Sequence, residues 1–520
     1  CKFKYNNSST FRSSLKMETT LTDEVYGEQV RLKYATVVNY ATKVASLVVG
    51  LLFTVFVARK LSIFEFGVWT LILKYINYIT PFAVIFTYWI PRTISRGINT
   101  AKTALLLASL LSVMAFAAYI VMAFAFSFFF GQPIFPLLLA SIIVVEVYIE
   151  RCLNSIASAH APQYMGFSIL VFKIVQTFSA FFLIVAFKLG LVGAVIAAII
   201  GRLASIILLF FANKIVISIS KIDLTVIKDW IKKSWLPIFT SFSNTILVLD
   251  VLIVRTICGS EEPIAYYGIS LSILGVTTIS TYVLSALYAR LLARKDLRDV
   301  VEAFWIAGMF MVPATLGIIL YTEPIVAIYG VKYLVIVPAI KIFAIASILQ
   351  LLFSILATTL RGLETRDFYS GNNLTATVLF KIPVVNFSLT FIYLGSLVLI
   401  SHLFKHDLEL LLLSWGIAYC LRFVALILAY DWLLRKEFKT RLPYCLMAKN
   451  AIGFVIASIG ILATRIIYPV EPEVSIWTLM SKFAPAVILS SLSYFVLLYL
   501  VDKKFRNLLH KSLLFLSKQK

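Results

Sequence analysis

The chain has 520 residues, of which 61% are apolar and only 14% are charged. Soluble domains contain about 45–50% apolar and about 25% charged residues, so this composition excludes a soluble enzyme and an intrinsically disordered chain. The formal net charge of +22 fits the loops of a membrane protein, where basic residues collect on the cytoplasmic side and contact anionic lipids. We therefore expect an integral membrane protein that binds membrane lipids and no nucleic acid.

A helix needs about 20 mostly apolar residues to cross the hydrocarbon core of a bilayer. Apolar stretches of that length recur along the chain and are separated by short polar loops. They predict an all-α polytopic protein with about fourteen transmembrane helices, at residues 35–58, 66–90, 103–130, 136–158, 166–187, 190–212, 234–257, 265–289, 301–321, 336–357, 373–394, 408–434, 446–468 and 476–501. The loops are too short to hold a soluble catalytic domain.

Residues 1–34 precede the first predicted span and carry six Lys and Arg residues among Ser, Thr and Asn. We interpret this segment as a flexible, basic cytoplasmic arm without a cleaved signal peptide. Cys1 and Met17 are both candidates for the true start residue. The five cysteines have no metal-binding spacing, and we expect neither a metal nor another cofactor.

Basic residues are concentrated in the loops that lie on one side of the membrane. If the N-terminus is inside, the cytoplasmic loops hold most of the Lys and Arg residues, such as Lys232 and Lys233, whereas an outside turn contains Glu261 and Glu262. The positive-inside rule therefore predicts a multi-pass protein of the plasma membrane with both termini in the cytoplasm.

The two halves of the chain resemble each other. The sequence Val-Phe-Lys-Ile around Lys173 recurs as Leu-Phe-Lys-Ile around Lys381, and Arg202 has a counterpart in Arg422. Internal repeats of this kind are typical of transporters and predict two pseudo-symmetric lobes of six helices. The predicted division is an N-lobe at 35–213, a basic cytoplasmic linker at 214–233, a C-lobe at 234–435, two further spans within 436–501 and a basic cytoplasmic tail at 502–520.

Several Lys and Arg residues fall inside apolar spans, where each charge costs at least about 2.5–3.5 kcal/mol. The acids within the spans are too few to pair with all of them. A water-filled, electropositive cavity for an anionic substrate would compensate the rest, and its predicted binding residues are Lys43, Arg202, Arg255 and Lys381. Lys173 and Lys341 are candidates either for the same cavity or for snorkelling to a membrane interface.

Three acids within the spans are candidates for coupling transport to Na⁺ or H⁺. Asp250 lies in the seventh predicted span, and Glu146 and Glu150 lie four residues apart on one face of the fourth. The alternative for the two glutamates is a salt bridge with Arg151 or Lys173.

Two segments resemble the oligosaccharide flippases of polysaccharide biosynthesis, in the superfamily that also holds multidrug and toxin extrusion transporters and lipid II flippases. The first is Arg59-Lys60-Leu61-Ser62-Ile63-Phe64-Glu65-Phe66-Gly67, similar to the family's R-x-L-G-x-x-x-F/Y-G motif with Ser62 in place of the usual Gly. The second starts the second half, with Leu236-Pro237, Asp250 and Tyr266-Tyr267-Gly268. The resemblance implies fourteen helices in two lobes around a cationic cavity, and an oligosaccharide substrate carried on a polyprenyl phosphate or pyrophosphate.

The expected function is therefore a non-enzymatic flippase that moves a lipid-linked oligosaccharide to the outer leaflet by alternating access. No phosphate-binding loop of the G-x-x-x-x-G-K-[ST] type occurs, which argues against ATP hydrolysis. One alternative is a multidrug antiporter with the same fold, although its cationic substrates call for an acidic cavity. The other is a membrane polysaccharide polymerase or glycosyltransferase, for which His402, His406 and Asp407 form a candidate cluster.

Overall fold

The computed structural model describes residues 32–364 and 374–517. The predicted N-terminal arm lies almost entirely outside these residues, as do Cys1, Met17 and the last three residues of the predicted tail. The described residues form helices and connecting turns without β-strands, which confirms the predicted all-α fold.

Fourteen long helices follow one another in the described chain, and each overlaps one predicted span. They are α1 (Leu32–Lys60), α2 (Ile63–Ile94), α3 (Ala101–Phe130), α4 (Ile134–His160), α5 (Gln163–Ala186), α6 (Gly190–Ile219), α7 (Trp235–Cys258), α8 (Glu262–Arg294), α9 (Arg298–Leu320), α10 (Val331–Leu363), α11 (Val378–Leu403), α12 (Leu408–Phe438), α13 (Tyr444–Ile467) and α14 (Ile476–Val501).

Thirteen of these helices are long and apolar enough to cross a membrane. The fourteenth, α4, has 27 residues but carries Glu146, Glu150 and Arg151 near its middle. Many large apolar side chains point away from the protein, and Phe128 and Ile467 are 84% and 82% exposed. A surface of this kind is stable in hydrocarbon rather than in water, so the chain is a multi-pass membrane protein.

The start of α2 shows why Ser62 replaces the glycine of the flippase motif. Ser62 has φ −64° and ψ 163°, an extended conformation that requires no glycine. Its Oγ accepts a hydrogen bond from the Glu65 backbone N at 3.1 Å, and Glu65 Oε2 accepts one from the Ser62 backbone N at 2.9 Å. This capping box satisfies two free backbone donors of the helix, so serine stabilises the turn.

The long helices pack as two bundles. In the N-terminal bundle (α1–α6), α5 packs against α1 and α6, and α4 against α3 and α6. In the C-terminal bundle (α7–α12), α12 packs against α10 and α11, and α11 also against α7. The remaining pair, α13 and α14, pack on each other and on α9, where Tyr494 Oη donates a hydrogen bond to the Met309 carbonyl at 3.1 Å.

A short helix at Leu224–Lys233 connects the two bundles. Asp223 caps its N-terminus by accepting a hydrogen bond from the Thr225 backbone N at 2.8 Å. The Thr225 hydroxyl also donates to Asp223, and these two bonds lower the pKa of the Asp223 carboxyl below its usual range. Trp230 anchors the helix by burying its side chain. The predicted linker at 214–233 therefore contains the end of α6, a short turn and this helix.

Two helices are irregular at membrane depth in the C-terminal bundle. A 3₁₀ segment at Ile246–Val248 precedes Asp250 in α7, and a longer one at Gly275–Tyr282 divides α8. Irregular backbone within a membrane is tolerated where it is buried in protein or lines a water-filled space. These two segments therefore direct attention to the region between the bundles.

Candidate functional site

A polar cluster lies inside the N-terminal bundle. Arg202 on α6 forms an ion pair with Glu150 on α4, and the Ser205 hydroxyl donates a hydrogen bond of 2.8 Å to the other Glu150 oxygen. The arginine and glutamate side chains are only 19% and 10% exposed. Within the described chain, Oε2 of Glu146 is buried without a hydrogen-bond partner. Arg202 is thus neutralised by Glu150, while Glu146 stands beside the pair with unused acceptor capacity.

Lys173 on α5 extends this cluster towards α1. Its Nζ donates a hydrogen bond to Gln176 at 3.2 Å, and both Lys173 and Arg202 lie against the ring of Phe172, at 4.7 and 4.9 Å from its centroid. The lysine chain passes over Gly50 of α1, where an added Cβ would lie 3.3 Å from its Cδ. Lys173 and Arg202 are therefore close together, as a shared site requires.

Lys43 on α1 reaches across to the C-terminal bundle. Its Nζ lies 4.6 Å from the centroid of the Tyr282 ring, at the end of the 3₁₀ segment of α8. A cation over an aromatic face is attracted by the ring quadrupole. Gly50 lies about two turns from Lys43 on the same helix. Lys43 is therefore on the helix that the Lys173 side chain crosses.

The C-terminal bundle contains its own polar cluster, centred on Asp250. The carboxylate accepts hydrogen bonds from the Val251 backbone N at 2.7 Å, from Tyr267 Oη at 3.1 Å and from Tyr393 Oη at 3.4 Å. The indole of Trp415 donates to Tyr393 at 2.8 Å. From the N-terminal bundle, Lys74 places its Nζ 5.3 Å from the Tyr267 ring, so Asp250 and Lys74 belong to one cluster that joins the bundles.

Arg422 on α12 has no carboxylate partner in the described chain within ion-pair distance. Its guanidinium donates hydrogen bonds to Asn386 Oδ1 at 2.9 Å and to the Thr390 hydroxyl at 3.1 Å, both on α11. Asn386 in turn donates to the Ser243 carbonyl on α7 at 3.0 Å. Arg422 is therefore a buried cation that neutral groups hold in place.

The two bundles are joined at the predicted outer end by a cluster that contains Arg255. Its Nε pairs with Glu261 at 2.6 Å, and its guanidinium also donates to the Phe130 carbonyl on α3 at 2.9 Å. Gln132 of the N-terminal bundle donates to Glu261 at 3.2 Å, and Tyr75 Oη bonds to Gln132. We call Tyr75, Gln132, Arg255 and Glu261 the outer cluster.

The remaining two predicted binding residues lie apart from these clusters. Lys381 on α11 forms an ion pair of 2.7 Å with Glu437, which is near the predicted cytoplasmic end of α12. Lys341 is exposed on α10 on the same face as Ile345, which is 49% exposed. Within the described chain, neither residue forms a hydrogen bond or an ion pair with Lys173 or Arg202.

The structure therefore brings some of the predicted cations together and separates others. Lys173 and Arg202 share one cluster and Lys43 lies on the adjoining helix, whereas Arg255 and Lys381 are paired at opposite ends of the bundles. Their partners are Glu261 and Glu437, which lie just before α8 and in the last turn of α12. Acids at helix ends thus reach cations for which the sequence predicts no partner. Glu150 pairs with Arg202 and not with Arg151 or Lys173, the two salt-bridge partners that the sequence suggests.

The structure places in the clusters several residues to which the sequence assigns no role. Lys74 is a cation within an apolar span, Tyr267 belongs to the second flippase-like segment, and Arg422 is the sequence counterpart of Arg202. Tyr393 and Trp415 gave no signal, because tyrosine and tryptophan are common in membrane helices without a polar role.

The sequence matches no protein-family model and no curated protein. Solved structures nevertheless share its fold. The lipid II flippase MurJ in an inward closed conformation matches with a TM-score of 0.61 and 14% identity, over 91% of this chain and 100% of that chain. An inward-facing multidrug resistance MATE family transporter of the MOP superfamily matches with a TM-score of 0.57 and 13% identity, over 78% and 99%.

A third similar structure is a MOP superfamily transporter from Pyrococcus furiosus, for which a binding pocket of reverse polarity is described. It matches with a TM-score of 0.53 and 13% identity, over 78% of this chain and 95% of that chain. At these identities the likeness shows the fold alone. The chain therefore has the fold of the MATE and MurJ transporters.

Proposed function

We propose that this protein is a flippase that moves an oligosaccharide linked to a polyprenyl phosphate or pyrophosphate from the cytoplasmic to the outer leaflet by alternating access. The fold shared with MurJ and MATE transporters supports a membrane transporter of this general kind. The flippase resemblance of the sequence supports the substrate class. Both termini lie in the cytoplasm in this proposal, and the protein is not an enzyme.

The observation that carries the proposal is the presence of unpaired amines on α1 and α5. In the described part of the chain, no carboxylate lies within ion-pair distance of Lys43 or Lys173. An unpaired cation at membrane depth is costly, and a phosphate group would compensate it through charge-assisted hydrogen bonds. These lysines therefore favour an anionic substrate over the organic cations of a multidrug antiporter.

Alternating access requires the two bundles to separate at the outer end when the substrate leaves. The outer cluster would then open, because Arg255 bonds to the Phe130 carbonyl and Glu261 to Gln132 across the bundles. Arg59 of α1 adds hydrogen bonds of 2.7 and 2.9 Å to the carbonyls of Ile328 and Ala327. We propose that these contacts keep the outer end closed while the substrate enters from the cytoplasmic side.

Two sources could supply the driving force for this movement. A membrane potential, negative inside, favours outward movement of an anion by about 2.3 kcal/mol per charge per 100 mV. An ion could instead bind to Asp250 in the C-terminal bundle, or to Glu146 and Glu150 in the N-terminal bundle. Of these acids, Glu146 has the unused buried oxygen, while Glu150 is paired with Arg202.

The test is translocation in proteoliposomes that contain the full chain. We expect transfer of a lipid-linked oligosaccharide, stimulated by an inside-negative potential, and no transport of an organic cation. Replacing Lys43 and Lys173 together by Gln should reduce translocation by about tenfold, the equivalent of one charge-assisted hydrogen bond. The matched control is Lys405→Gln, which removes an exposed lysine in the turn before α12.

Transport of the organic cation without glycan transfer would overturn the proposal in favour of the antiporter. The polymerase alternative has its own test, in which His406→Ala abolishes sugar transfer. The geometry gives that alternative little support, because Asp407 accepts a hydrogen bond from the Leu410 backbone N at 3.0 Å and so caps α12.

A further inference from the structure

A cleft lies between α12 and α13 in the predicted cytoplasmic half of the membrane. These two helices follow each other in the chain and are joined by a short turn. In the described chain, however, α13 packs on α14 and α9 and not along α12. The space left between them has a volume of about 270 Å³. Four helices line it with apolar side chains, such as Phe304 on α9, Leu356 on α10, Ile427 on α12 and Met447 on α13.

The cleft spans the depth of one leaflet. Its deepest lining residues, Leu352 and Ile427, each lie eleven residues before the predicted cytoplasmic end of their helix, about 16 Å at the helical rise. Half the hydrocarbon thickness is about 15 Å. Tyr444 belongs to the lining at the start of α13 and is 41% exposed. The cleft therefore reaches from the cytoplasmic surface to about the middle of the bilayer.

Polar side chains connect α12 and α13 at the cytoplasmic mouth of the cleft. Tyr444 Oη donates a hydrogen bond of 2.5 Å to one oxygen of Asp431, and the other oxygen pairs with Arg435 at 2.6 Å. Arg435 lies in the last turn of α12, and its side chain is 47% exposed. A guanidinium has five N–H donors, so Arg435 can hold Asp431 and still donate to a second acceptor.

The mouth carries more positive than negative charge. The turn between α12 and α13 adds Lys439 and Arg441, which are both exposed. Glu437, the acid in the last turn of α12, is engaged with Lys381, and the two acids at the start of α9 pair with Arg290. Neither α10 nor α13 contains an Asp or Glu. Charge complementarity therefore favours an anionic group at the mouth.

We propose that the cleft binds a resident anionic phospholipid of the cytoplasmic leaflet, with one acyl chain between α12 and α13 and its phosphate beside Arg435 and the basic turn. The phosphate of such a lipid lies at the edge of the hydrocarbon core, about 15 Å from the bilayer centre, where α12 ends. The acyl chain supplies the contacts that α12 and α13 do not make with each other. The lipid thereby joins α13 and α14 to the C-terminal bundle. This inference requires only that the chain spans a membrane and does not rest on the proposed function.

The test is native mass spectrometry of the full chain, delipidated in detergent and incubated with equal amounts of phosphatidylglycerol and phosphatidylcholine. We expect one retained phospholipid, with about a tenfold preference for phosphatidylglycerol, the equivalent of one charge-assisted hydrogen bond. Ala448→Trp fills the cleft from its lining and should abolish retention. Leu446→Trp is the matched control, because Leu446 is 53% exposed two residues away and outside the lining, and it should retain the lipid.

The headgroup contact has its own variants. Arg435→Gln combined with Arg441→Gln should remove the preference, so that the two lipids are retained equally. Lys436→Gln is the control, because it removes a neighbouring charge whose amine lies 4.6 Å from the centroid of the Trp432 ring, and it should leave the preference unchanged. If Ala448→Trp does not fold, Ala451→Leu fills less of the same cleft and should reduce retention.

Equal retention of the two lipids by the wild-type chain would overturn the inference, as would unchanged retention in both cleft-filling variants or a loss in Leu446→Trp as large as in Ala448→Trp. Retention of added farnesyl phosphate in preference to phosphatidylglycerol would also overturn it, because the cleft would then bind isoprenoid phosphates. The readout is lipid retention and not transport. A failed translocation assay therefore counts against the proposed function alone, and lost retention in an active transporter counts against this inference alone.

Discussion

Arg202 and Arg422 lie in the last helix of the N-terminal and C-terminal bundles, and their surroundings differ in one chemical respect. Arg202 is paired with Glu150 from α4 and is held by a network that includes Ser205. Arg422 is held by Asn386 and Thr390, which are neutral. In the N-terminal bundle the protein supplies the anion itself, whereas in the C-terminal bundle it supplies only acceptors that orient the guanidinium.

Because of this difference, Arg202 and Arg422 contribute differently to the packing of their bundles. A buried ion pair that is complete within the protein fixes the packing of its helices, and removing one partner is costly. Arg422 has no carboxylate within ion-pair distance in the described chain, and hydrogen bonds to neutral groups hold it instead. We infer that Arg202 contributes more to the packing of its bundle than Arg422 does.

Removing the carboxylate from the N-terminal cluster should have the largest effect on stability. In Glu150→Gln, Arg202 loses its ion-pair partner, and the free energy of unfolding should fall by about 3–5 kcal/mol. Thermal unfolding of the purified protein in detergent measures the loss. Glu146→Gln is the matched control four residues away, since Glu146 is not among the ion pairs of the described chain.

A double variant separates the charge effect from lost packing. Glu150→Gln combined with Arg202→Gln replaces the ion pair by two amides that can bond to each other, so most of the stability should return. A single Glu150→Gln variant as stable as Glu146→Gln would contradict the structural role of the pair.

The fold could be predicted from the sequence because the bilayer imposes a length and an apolar composition on every span. The sequence predicts the fourth span despite Glu146 and Glu150. It does not predict the breaks in α7 and α8, since the 3₁₀ segments at Ile246–Val248 and Gly275–Tyr282 contain no proline and a single glycine, Gly275.

The pairing of the charges could not be predicted, for a physical reason. Glu261 and Glu437 lie outside or at the end of the apolar runs, yet their side chains reach Arg255 and Lys381 after folding. The absence of acids from α10 is visible in the sequence. That this helix packs against α12 and brings no carboxylate to Arg422 becomes visible only in three dimensions.

Lys173 and Lys381, which occupy corresponding positions in the two halves, also differ in whether an acid neutralises them. Lys381 pairs with Glu437 while both side chains are partly exposed, 34% and 16%, whereas its counterpart Lys173 donates a hydrogen bond to the neutral side chain of Gln176. Because solvent screens the exposed pair, Glu437→Gln should lower the free energy of unfolding by no more than about 1 kcal/mol. The loss should shrink at high salt. A loss as large as that of Glu150→Gln would show that the pair at the cytoplasmic end also fixes its bundle.

Lys341 should show the smallest effect of all. It lies near the start of α10 on the exposed face that also carries Ile345, where a long side chain can extend its amine to the membrane interface. Lys341→Gln should change the free energy of unfolding by less than about 0.5 kcal/mol and leave glycan translocation unchanged. If translocation instead fell as far as in the Lys43 and Lys173 double variant, the substrate path would have to include the outer face of α10.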